Sequence, residues 1–398
     1  MREEAPEEAV SGDRVRLRRT LTLPLVVLYG LGVTIGAGIY VLIGATAGIA
    51  GVYAPLSFVV AAIVMLPSAC SFAELVGRFP MSAGEAAYVR AGFGSDLLSL
   101  IVGLMVVLVG TISAAAICVG SVGYVRQFID LPGSVLIPII VALITCVSAW
   151  GVRESVSVAA ALTVIEIGGL FLVIGGGIFG YGESLPTLQG VATDESLLTI
   201  GLGVMSGGVV AFFAFVGFED LVNMAEETER PASNMPRAIF LTLLITTVLY
   251  VLVAVVAVSH VPISQLAGAE APLSLVFRST TGISPNVISA IAIIATLNGV
   301  IVQIIMASRV IYGLARQGSL PSWLGAVSSL THTPLLATAL IGGFVFLLAT
   351  VAPLHGLAKA VSLITLSIFS LVNLAFLLWK RRGDAAPPEV FVCPSWVP

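Results

Sequence analysis

Long apolar runs alternate with short polar segments along almost the whole chain. No charged residue occurs from Thr20 to Ala73, and comparable runs recur as far as residue 380. Because a membrane-spanning helix needs about 20 mostly apolar residues, this pattern predicts ten spans. They lie at roughly 22–48, 52–76, 97–125, 134–151, 155–180, 200–225, 237–259, 284–313, 334–352 and 357–379.

The composition places the chain in a lipid bilayer and narrows its other partners. The 398 residues are 58% hydrophobic and only 10% charged, whereas soluble domains carry about 25% charged residues. The net charge of -4 comes without a basic stripe, so no nucleic-acid partner is expected. The four cysteines are scattered and the three histidines lie near span ends, so the sequence predicts no metal site and no cofactor.

The basic residues predict the orientation of the spans. Fifteen of the 18 lysines and arginines fall on the side that holds both termini, and Arg126, Arg278 and Lys359 fall on the other side. By the positive-inside rule, both termini are cytoplasmic. We therefore expect a cytoplasmic tail over residues 1–21, a single transmembrane domain over 22–380, and a C-terminal cytoplasmic segment over 381–398.

Two predicted spans carry glycine clusters that weaken a helix where no water can bind its backbone. Residues 31–44 read LGVTIGAGIYVLIG, and residues 201–220 read GLGVMSGGVVAFFAFVGFED. Each cluster lies in the leading span of a five-span half, the halves covering about 22–180 and 200–380. Because five is odd, the halves have opposite orientations. Interrupted spans at matching positions indicate a transport binding site near the middle of the membrane.

The two interruptions offer complementary chemistry. A half-helix that begins near Gly38 directs unpaired N–H groups, with a partial positive charge, at a carboxylate. Carbonyl groups freed between Phe212 and Val216 suit an ammonium group. A zwitterion of the amino-acid type fits both. The alternative is that the glycines only allow close helix packing, as the spacing of Gly32 and Gly36 permits.

At these residues the chain resembles the amino acid–polyamine–organocation superfamily, and in particular the prokaryotic relatives of the cationic amino acid transporters. The resemblance implies an all-α integral membrane fold of the LeuT type, with a five-plus-five inverted repeat, discontinuous first and sixth spans and alternating access. The matching stretches are GVTIGAGIYVLIGATAG (32–48), APLSFVVAAIVMLPSACSFAELVGRFPMSAGEAAYVRAGFG (54–94), FFAFVGFEDLVNMAEETERPASNMPRAI (212–239) and SRVIYGLARQGSLP (308–321).

The resemblance also implies roles for residues at both interruptions. A backbone clamp for the substrate carboxylate is expected at the first, and an amine-binding break with an aromatic gate is expected at the second. Phe213 is the residue expected to form the gate, with Phe212 as its alternative, and both side chains also fit lipid-facing bulk. The clamp residues are Ile35, Gly36, Ala37 and Gly38, and the residues of the amine-binding break are Phe212, Ala214 and Phe215.

The chain departs from the superfamily in two places. Many relatives continue through two further spans, whereas here the family's spans eleven and twelve are absent. Many relatives also carry a lysine in the fifth span, where AALTVIEIGGLFLVI (160–174) has Glu166 instead. Glu166 is the only charged residue predicted inside a span, where an ionised side chain costs about 2.5–3.5 kcal/mol. Burial therefore favours its neutral form.

Three roles for Glu166 remain open. They are exchange of a proton between the two transport states, binding of a cationic substrate or counter-ion, and a structural role as a neutral carboxyl.

Several other polar residues are weaker candidates. Ser113 leaves room beside the clamp, and Asn298 and Gln303 either line the cavity or bond to a neighbouring helix. Glu85 lies in a loop that the family uses to support the inner gate. Acidic residues at cytoplasmic span ends are expected to be interfacial, namely Glu74, Glu219 and Asp220.

The sequence as a whole predicts a secondary active amino acid transporter of the plasma membrane. Proton-coupled symport is favoured because no pair of hydroxyls marks a sodium site, and neutral amino acids are slightly favoured because small residues flank the clamp. The alternatives are a proton-independent amino acid or polyamine exchanger and a membrane amino acid sensor that does not transport. An enzyme is not expected, because the chain has no catalytic cluster of serine, histidine and acid.

Overall fold

The structure is a computed structural model that describes residues 21–35, 38–79, 84–150, 156–180, 196–225, 227–316, 318–329, 331, 333–382 and 389–394. Apart from a single bridge between Leu21 and Thr228, the described residues form no β-structure. Their α-helices are α1 Leu23–Ile35, α2 Gly38–Ala50, α3 Ala54–Arg78, α4 Gly84–Phe93, α5 Asp96–Val125, α6 Gly133–Trp150, α7 Val156–Phe179, α8 Leu197–Phe213, α9 Pro231–His260, α10 Ile263–Gly268, α11 Pro272–Thr281, α12 Asn286–Arg316, α13 Leu335–Val351 and α14 Leu354–Lys380.

Most of these helices are suited to a bilayer. Eight apolar helical segments in the described part of the chain are long enough to cross a membrane, and α1 and α13 are shorter apolar helices. Large apolar side chains cover much of the outer surface, among them Ile63, Leu143 and Phe179. A contiguous apolar surface of this kind indicates a lipid environment. The chain is an all-helical multi-pass membrane protein, as the sequence predicted.

The first predicted span is divided between two helices. α1 ends at Ile35 and α2 begins at Gly38. Gly36 and Ala37, which were predicted to belong to the carboxylate clamp, lie outside the described residues.

The sixth predicted span is interrupted in a different way. α8 ends at Phe213, and a turn leads into a 3₁₀ helix over Phe218–Met224. Gly217, at the end of the turn, has φ of 126°, a backbone conformation that side chains with a Cβ rarely adopt. The N–H groups of residues 214, 215 and 216 bond to carbonyls three residues earlier, which tightens the chain before the 3₁₀ helix begins.

Helix contacts in the first half of the molecule recur in the second half. α3 packs on α9, α5 on α12 and α6 on α13, so helices in corresponding positions contact one another. α1 packs on α7 as α8 packs on α14, and α5 packs on α14 as α12 packs on α7. The short helices follow the same rule, because α4 lies on α5 and α14 while α11 lies on α12 and α7.

Candidate functional site

The two interruptions are in direct backbone contact. A Cβ atom added to Gly38 would lie 2.5 Å from the Cα atom of Ala214 and 2.7 Å from its carbonyl oxygen. A Cβ atom added to Gly217 would lie 3.0 Å from the carbonyl oxygen of Val33. Only glycine lets the start of α2 approach the end of α8 this closely. The two glycine clusters therefore build one junction.

One tyrosine of α9 joins both sides of this junction. The Tyr250 hydroxyl lies 2.9 Å from the carbonyl oxygen of Thr34 and 2.8 Å from that of Ala214. Its single proton is shared between two acceptors, one near the end of α1 and one after the end of α8. Because a buried carbonyl without a donor costs about 1–3 kcal/mol, Tyr250 stabilises the backbone on both sides of the junction.

A narrow cavity lies beside the junction. The Thr34 and Ser113 hydroxyls face no hydrogen-bond partner among the described residues, although both side chains are buried. Buried polar groups normally have partners, so these hydroxyls are suited to a polar ligand. The wall of this cavity is formed by α1, α2, α5, α12 and the end of α8. The residues that line it are Gly32, Val33, Thr34, Gly38, Ser113, Ile117, Phe213, Val216, Asn298, Gly299, Val302 and Gln303.

The start of α2 gives this central cavity an anion-binding end. Gly38 lines the cavity and is the first residue of the helix. The first four N–H groups of a helix have no partner within it and carry a partial positive charge. Ile35, the other described clamp residue, is fully buried and does not line the cavity.

The four predicted residues of the second interruption contact different parts of the molecule. Phe213 lines the central cavity, whereas Phe212 packs edge-on against Phe369 with ring centroids 6.2 Å apart. The aromatic residue over the cavity is thus Phe213, the preferred of the two gate candidates. Ala214 contacts Gly38, and the ring of Phe215 packs on Tyr250. Since these rings are buried, the described Phe212, Phe213 and Phe215 do not form lipid-facing bulk.

The carbonyls expected to bind an ammonium group are less open than predicted. Those of Phe212 and Phe213 accept bonds from N–H groups three residues later, and that of Ala214 accepts the Tyr250 hydroxyl. Tight turns after Phe213 satisfy part of the interrupted backbone locally. Each carbonyl oxygen retains a second lone pair, so an ammonium group can still bind without breaking these bonds.

Comparison with known proteins agrees with this geometry. Residues 26–386 match the family model described as amino acid permease. The chain belongs to the amino acid permease family. As a member it is a transporter and not an enzyme.

The relatives of this permease match it over most of its length. It is 31% identical to the branched-chain amino acid permease BcaP of Bacillus subtilis, over 97% of this chain and 86% of that protein. It is also 31% identical to cationic amino acid transporter 4, vacuolar, of Arabidopsis thaliana, over 94% of this chain but only 64% of the plant protein. An uncharacterized transporter of Mycobacterium tuberculosis is 32% identical over 90% of this chain and 79% of its own length.

Glu166 lies behind the wall of the central cavity. It belongs to α7 and is fully buried, and neither of its carboxyl oxygens meets hydrogen-bond geometry with a described residue. Its carboxyl interacts with the side chain of Asn298, which itself lines the cavity. The Tyr40 hydroxyl donates to the Glu166 backbone carbonyl at 2.6 Å, and the charge of Glu166 acts on the hydroxyls of Tyr40 and Tyr250.

The central cavity leads away from the junction through two further cavities. The next one shares Val216 and Gln303 with the central cavity. It shares Glu85, Val106 and Met306 with a wide vestibule of about 760 Å³. The three cavities lie in series from the junction to the end of the molecule that carries α4.

The opposite end of the central cavity is closed by packing. The Tyr124 hydroxyl donates to the carbonyl of Tyr40 in α2, and it accepts the N–H of Leu273 at 3.4 Å. Beyond them Arg126 and Glu270 form an ion pair of 2.7 Å between α5 and the segment that follows α10. Packing thus closes the central cavity on this side, where a separate outer cavity is lined by Glu270 and Arg278. The connected cavities lead to the other side.

The middle cavity carries an acidic cluster that the sequence did not predict. Glu85 of α4 and both Glu219 and Asp220 of the 3₁₀ helix line it, and all three are less than a tenth exposed. Glu219 and Asp220 were expected at the membrane interface, and the structure buries them instead. We call this space the acidic cavity.

The three tyrosines around the junction were missed by the sequence analysis. Tyr40, Tyr124 and Tyr250 are fully buried, and each donates its hydroxyl proton to a backbone carbonyl on another helix. A polar aromatic residue inside a long apolar run is the signal that could have pointed to them, since a buried tyrosine hydroxyl needs a partner.

Proposed function

We propose that the protein is a secondary active amino acid transporter that works by alternating access around the central cavity. One observation carries the proposal: both interruptions contribute backbone to a single cavity, and Tyr250 bonds to both. Discontinuous helices that place backbone at a shared central site are typical of such transporters. Membership in the amino acid permease family supports an amino acid as the substrate.

The fold we propose is the LeuT-type five-plus-five inverted repeat, with ten spans within residues 22–380. The recurring contacts between the halves support it, because the helix contacts described above recur between corresponding helices of the two halves. We infer that the protein lies in the plasma membrane. In this arrangement its vestibule and both termini face the cytoplasm. The cavities in series then describe an inward-facing conformation.

The geometry suggests how the substrate lies. Its α-carboxylate would bind the N–H groups at the start of α2, with its ammonium group near the carbonyls of the second interruption. The Thr34 and Ser113 hydroxyls would complete the polar contacts. The side chain would face Val33, Ile117 and Val302, which favours a neutral, apolar amino acid such as the branched-chain substrates named for the Bacillus relative.

Coupling to protons is assigned to Glu166. Burial without a counter-charge favours the neutral carboxyl, and hydration on opening would favour the ionised one. The electrostatic contact of Glu166 with Tyr40 and Tyr250 connects its charge to the hydroxyls that hold the interruptions. Loss of its proton would therefore alter the stability of the junction itself.

Uptake into proteoliposomes tests both parts of the proposal. We expect the native protein to accumulate leucine, isoleucine or valine when the outside is made acidic. Glu166→Gln should abolish accumulation driven by the pH gradient while keeping exchange of labelled leucine. Glu389→Gln, a change of the same type at an exposed position outside the predicted spans, should keep both activities.

Three outcomes would revise the proposal. Counterflow that ignores an imposed pH gradient would identify a proton-independent exchanger. Binding of an amino acid without uptake would identify a sensor. Undiminished pH-driven accumulation by Glu166→Gln would remove the coupling role from this residue.

A further inference from the structure

The acidic cavity lies between the central cavity and the vestibule, and its wall is assembled from distant parts of the chain. Glu85 comes from α4, Glu219 and Asp220 from the 3₁₀ helix, and neutral side chains from α5, α12 and α14. None of the three carboxyl groups forms an ion pair with a described lysine or arginine. One carboxyl oxygen of Glu219 accepts a hydrogen bond from the N–H of Gly217 at 2.8 Å, so the cluster contacts the second interruption.

A neutral side chain independently indicates that this cavity takes a ligand. Thr365 of α14 is 1% exposed and lines the acidic cavity. Its hydroxyl oxygen has no hydrogen-bond partner within the described residues. Buried hydroxyls are rarely left without a partner, so a polar ligand in the cavity would satisfy it. Gln303, whose side chain lines both this cavity and the central one, offers a further oxygen acceptor on the same path.

The spacing of the acidic groups selects the kind of cation. A small metal ion needs its oxygen ligands within about 2.0–2.6 Å. No set of three or more acidic, histidine or cysteine side chains in the described ranges is close enough to hold one. Because the acidic cavity shares Glu85, Val106 and Met306 with the wide vestibule, the N–H groups of a larger organic cation can bond to oxygens set further apart while the rest of the cation lies in the vestibule.

We propose that the acidic cavity is a second binding station on the path, specific for an organic ammonium group. Glu85, Asp220 and the second carboxyl oxygen of Glu219 bind the cation, and the Thr365 hydroxyl completes its shell. This proposal rests on the proposed transport function in one respect, because only transport would place the station on the exit route of the substrate. It predicts that the inner half of the path selects for positive charge, whereas the central cavity selects for an α-carboxylate.

The charge of the station depends on pH through the groups that face it. Burial raises the pKa of Glu85 to about 7. Glu85 acts electrostatically on Tyr88 of α4 and on Glu219 and Asp220 of the 3₁₀ helix, whereas the linings contributed by α5, α12 and α14 are uncharged. The other charged side chains that line the adjoining vestibule are Arg90, Glu227 and Arg309. Ionisation of Glu85 strengthens cation binding as the pH rises from 6 to 8.

Two probes separate the station from the central cavity. n-Butylammonium has no carboxylate, so it lacks the group that the start of α2 would bind. Leucine has both groups of a zwitterion and reports on the central cavity. Titration calorimetry of the full-length purified protein should show saturable binding of each, and n-butylammonium should bind about tenfold more tightly at pH 8 than at pH 6, since an alkylammonium stays charged over this range.

The variants then assign the binding to named residues. Glu85→Gln and Asp220→Asn should each weaken n-butylammonium binding by about tenfold or more and change leucine binding less than about twofold. Thr365→Val, which keeps every charge, should weaken it by a few-fold. Asp96→Asn is the matched control, because it removes an exposed carboxylate near the same end of the molecule and should change neither affinity.

The outcomes divide cleanly. Leucine binding retained by a variant shows that it is folded, and n-butylammonium binding that is then unchanged overturns the station. If the native protein binds leucine but not n-butylammonium, the station is overturned as well. The cluster would then only bind and release protons. If no amino acid binds but n-butylammonium binds with the expected dependence on Glu85, the proposed transport function fails and the station stands.

Discussion

The two interruptions meet in one junction, yet the described residues around them are held in different ways. At the first, only two residues separate α1 from α2, and no charged side chain lies between Thr20 and Ala73. At the second, a turn over residues 214–217 and a 3₁₀ helix replace the α-helix, and the Glu219 carboxyl accepts the N–H of Gly217. The first depends on its neighbours, whereas the second supplies much of its own hydrogen bonding.

This difference separates two requirements of a membrane-embedded site. The first interruption needs space, because its helix start must lie against the backbone of Ala214. The second needs a special backbone conformation, because Gly217 has a positive φ. Only the second bears titratable groups, and these line the acidic cavity. We therefore expect changes of volume to act most strongly at the first interruption and changes of conformation at the second.

The largest effect is expected for Gly38→Ala. The added methyl group would meet the Cα, Cβ and carbonyl oxygen of Ala214 at 2.5–2.7 Å, and none of these atoms can rotate away. Overpacking of this kind costs about 1–3 kcal/mol, so we expect a lower melting temperature and at least about a tenfold loss of leucine uptake. Thermal unfolding measures the melting temperature, and leucine uptake by proteoliposomes at matched protein density measures the loss of transport.

Gly343→Ala is the control for added volume. It lies in α13 with no atom within 4 Å of the new Cβ, and alanine is the better helix former. Its uptake should equal that of the native protein. Normal uptake by Gly38→Ala would show that the two interruptions do not need their close contact.

A smaller effect is expected for Gly217→Ala. The positive φ of 126° strains any residue with a Cβ, at a cost of about 1–3 kcal/mol, whereas the nearest atoms of Val33 lie 3.0 Å away and need to yield little. We expect the melting temperature to fall as much as for Gly38→Ala, with a loss of uptake of only a few-fold. Thermal unfolding and uptake of the same preparations measure the two effects.

Gly282→Ala separates strain from position. Gly282 also has a positive φ, of 69°, but it ends α11 in open space far from the junction. This variant should lose some thermal stability and retain full uptake. Equal losses of uptake in both glycine variants would mean that strain anywhere in the chain, and not the second interruption, limits transport.

Both interruptions could be located from the sequence because their signal is local. Glycine clusters inside uncharged runs are unfavourable in a bilayer, and the structure ends α1 at Ile35 and α8 at Phe213, within those runs. Eight described helical segments are long and apolar enough to cross a membrane, and the count of ten spans stays a prediction. The contribution of Gly38 and Phe213 to one cavity was a prediction of this kind, and both line it.

The parts that could not be predicted depend on contacts between distant segments. Tyr250 is separated from Thr34 by 216 residues, and nothing local to either residue indicates the bond between them. Glu219 and Asp220 read as interfacial because they end an apolar run. Their burial follows from the packing of α4 over the 3₁₀ helix, and that placement is visible only in three dimensions.

The smallest effect is expected for Tyr250→Phe, the change that acts on both interruptions at once. It removes the donor to the carbonyls of Thr34 and Ala214 and keeps the ring that packs on Phe215. Loss of a buried donor costs about 1–3 kcal/mol in the state that uses it. Because each interruption retains its other contacts, we expect only a few-fold loss of leucine uptake.

The comparison between the interruptions can then be sharpened with double variants. Tyr312→Phe, at a half-buried position of α12, serves as the control and should leave uptake unchanged. Changes at residues in one contact network are not additive. Tyr250→Phe should therefore add little to Gly38→Ala, which already separates Ala214 from the start of α2. It should add its full effect to Gly217→Ala, where that contact survives. Equal increments in both backgrounds would show that Tyr250 acts apart from the junction.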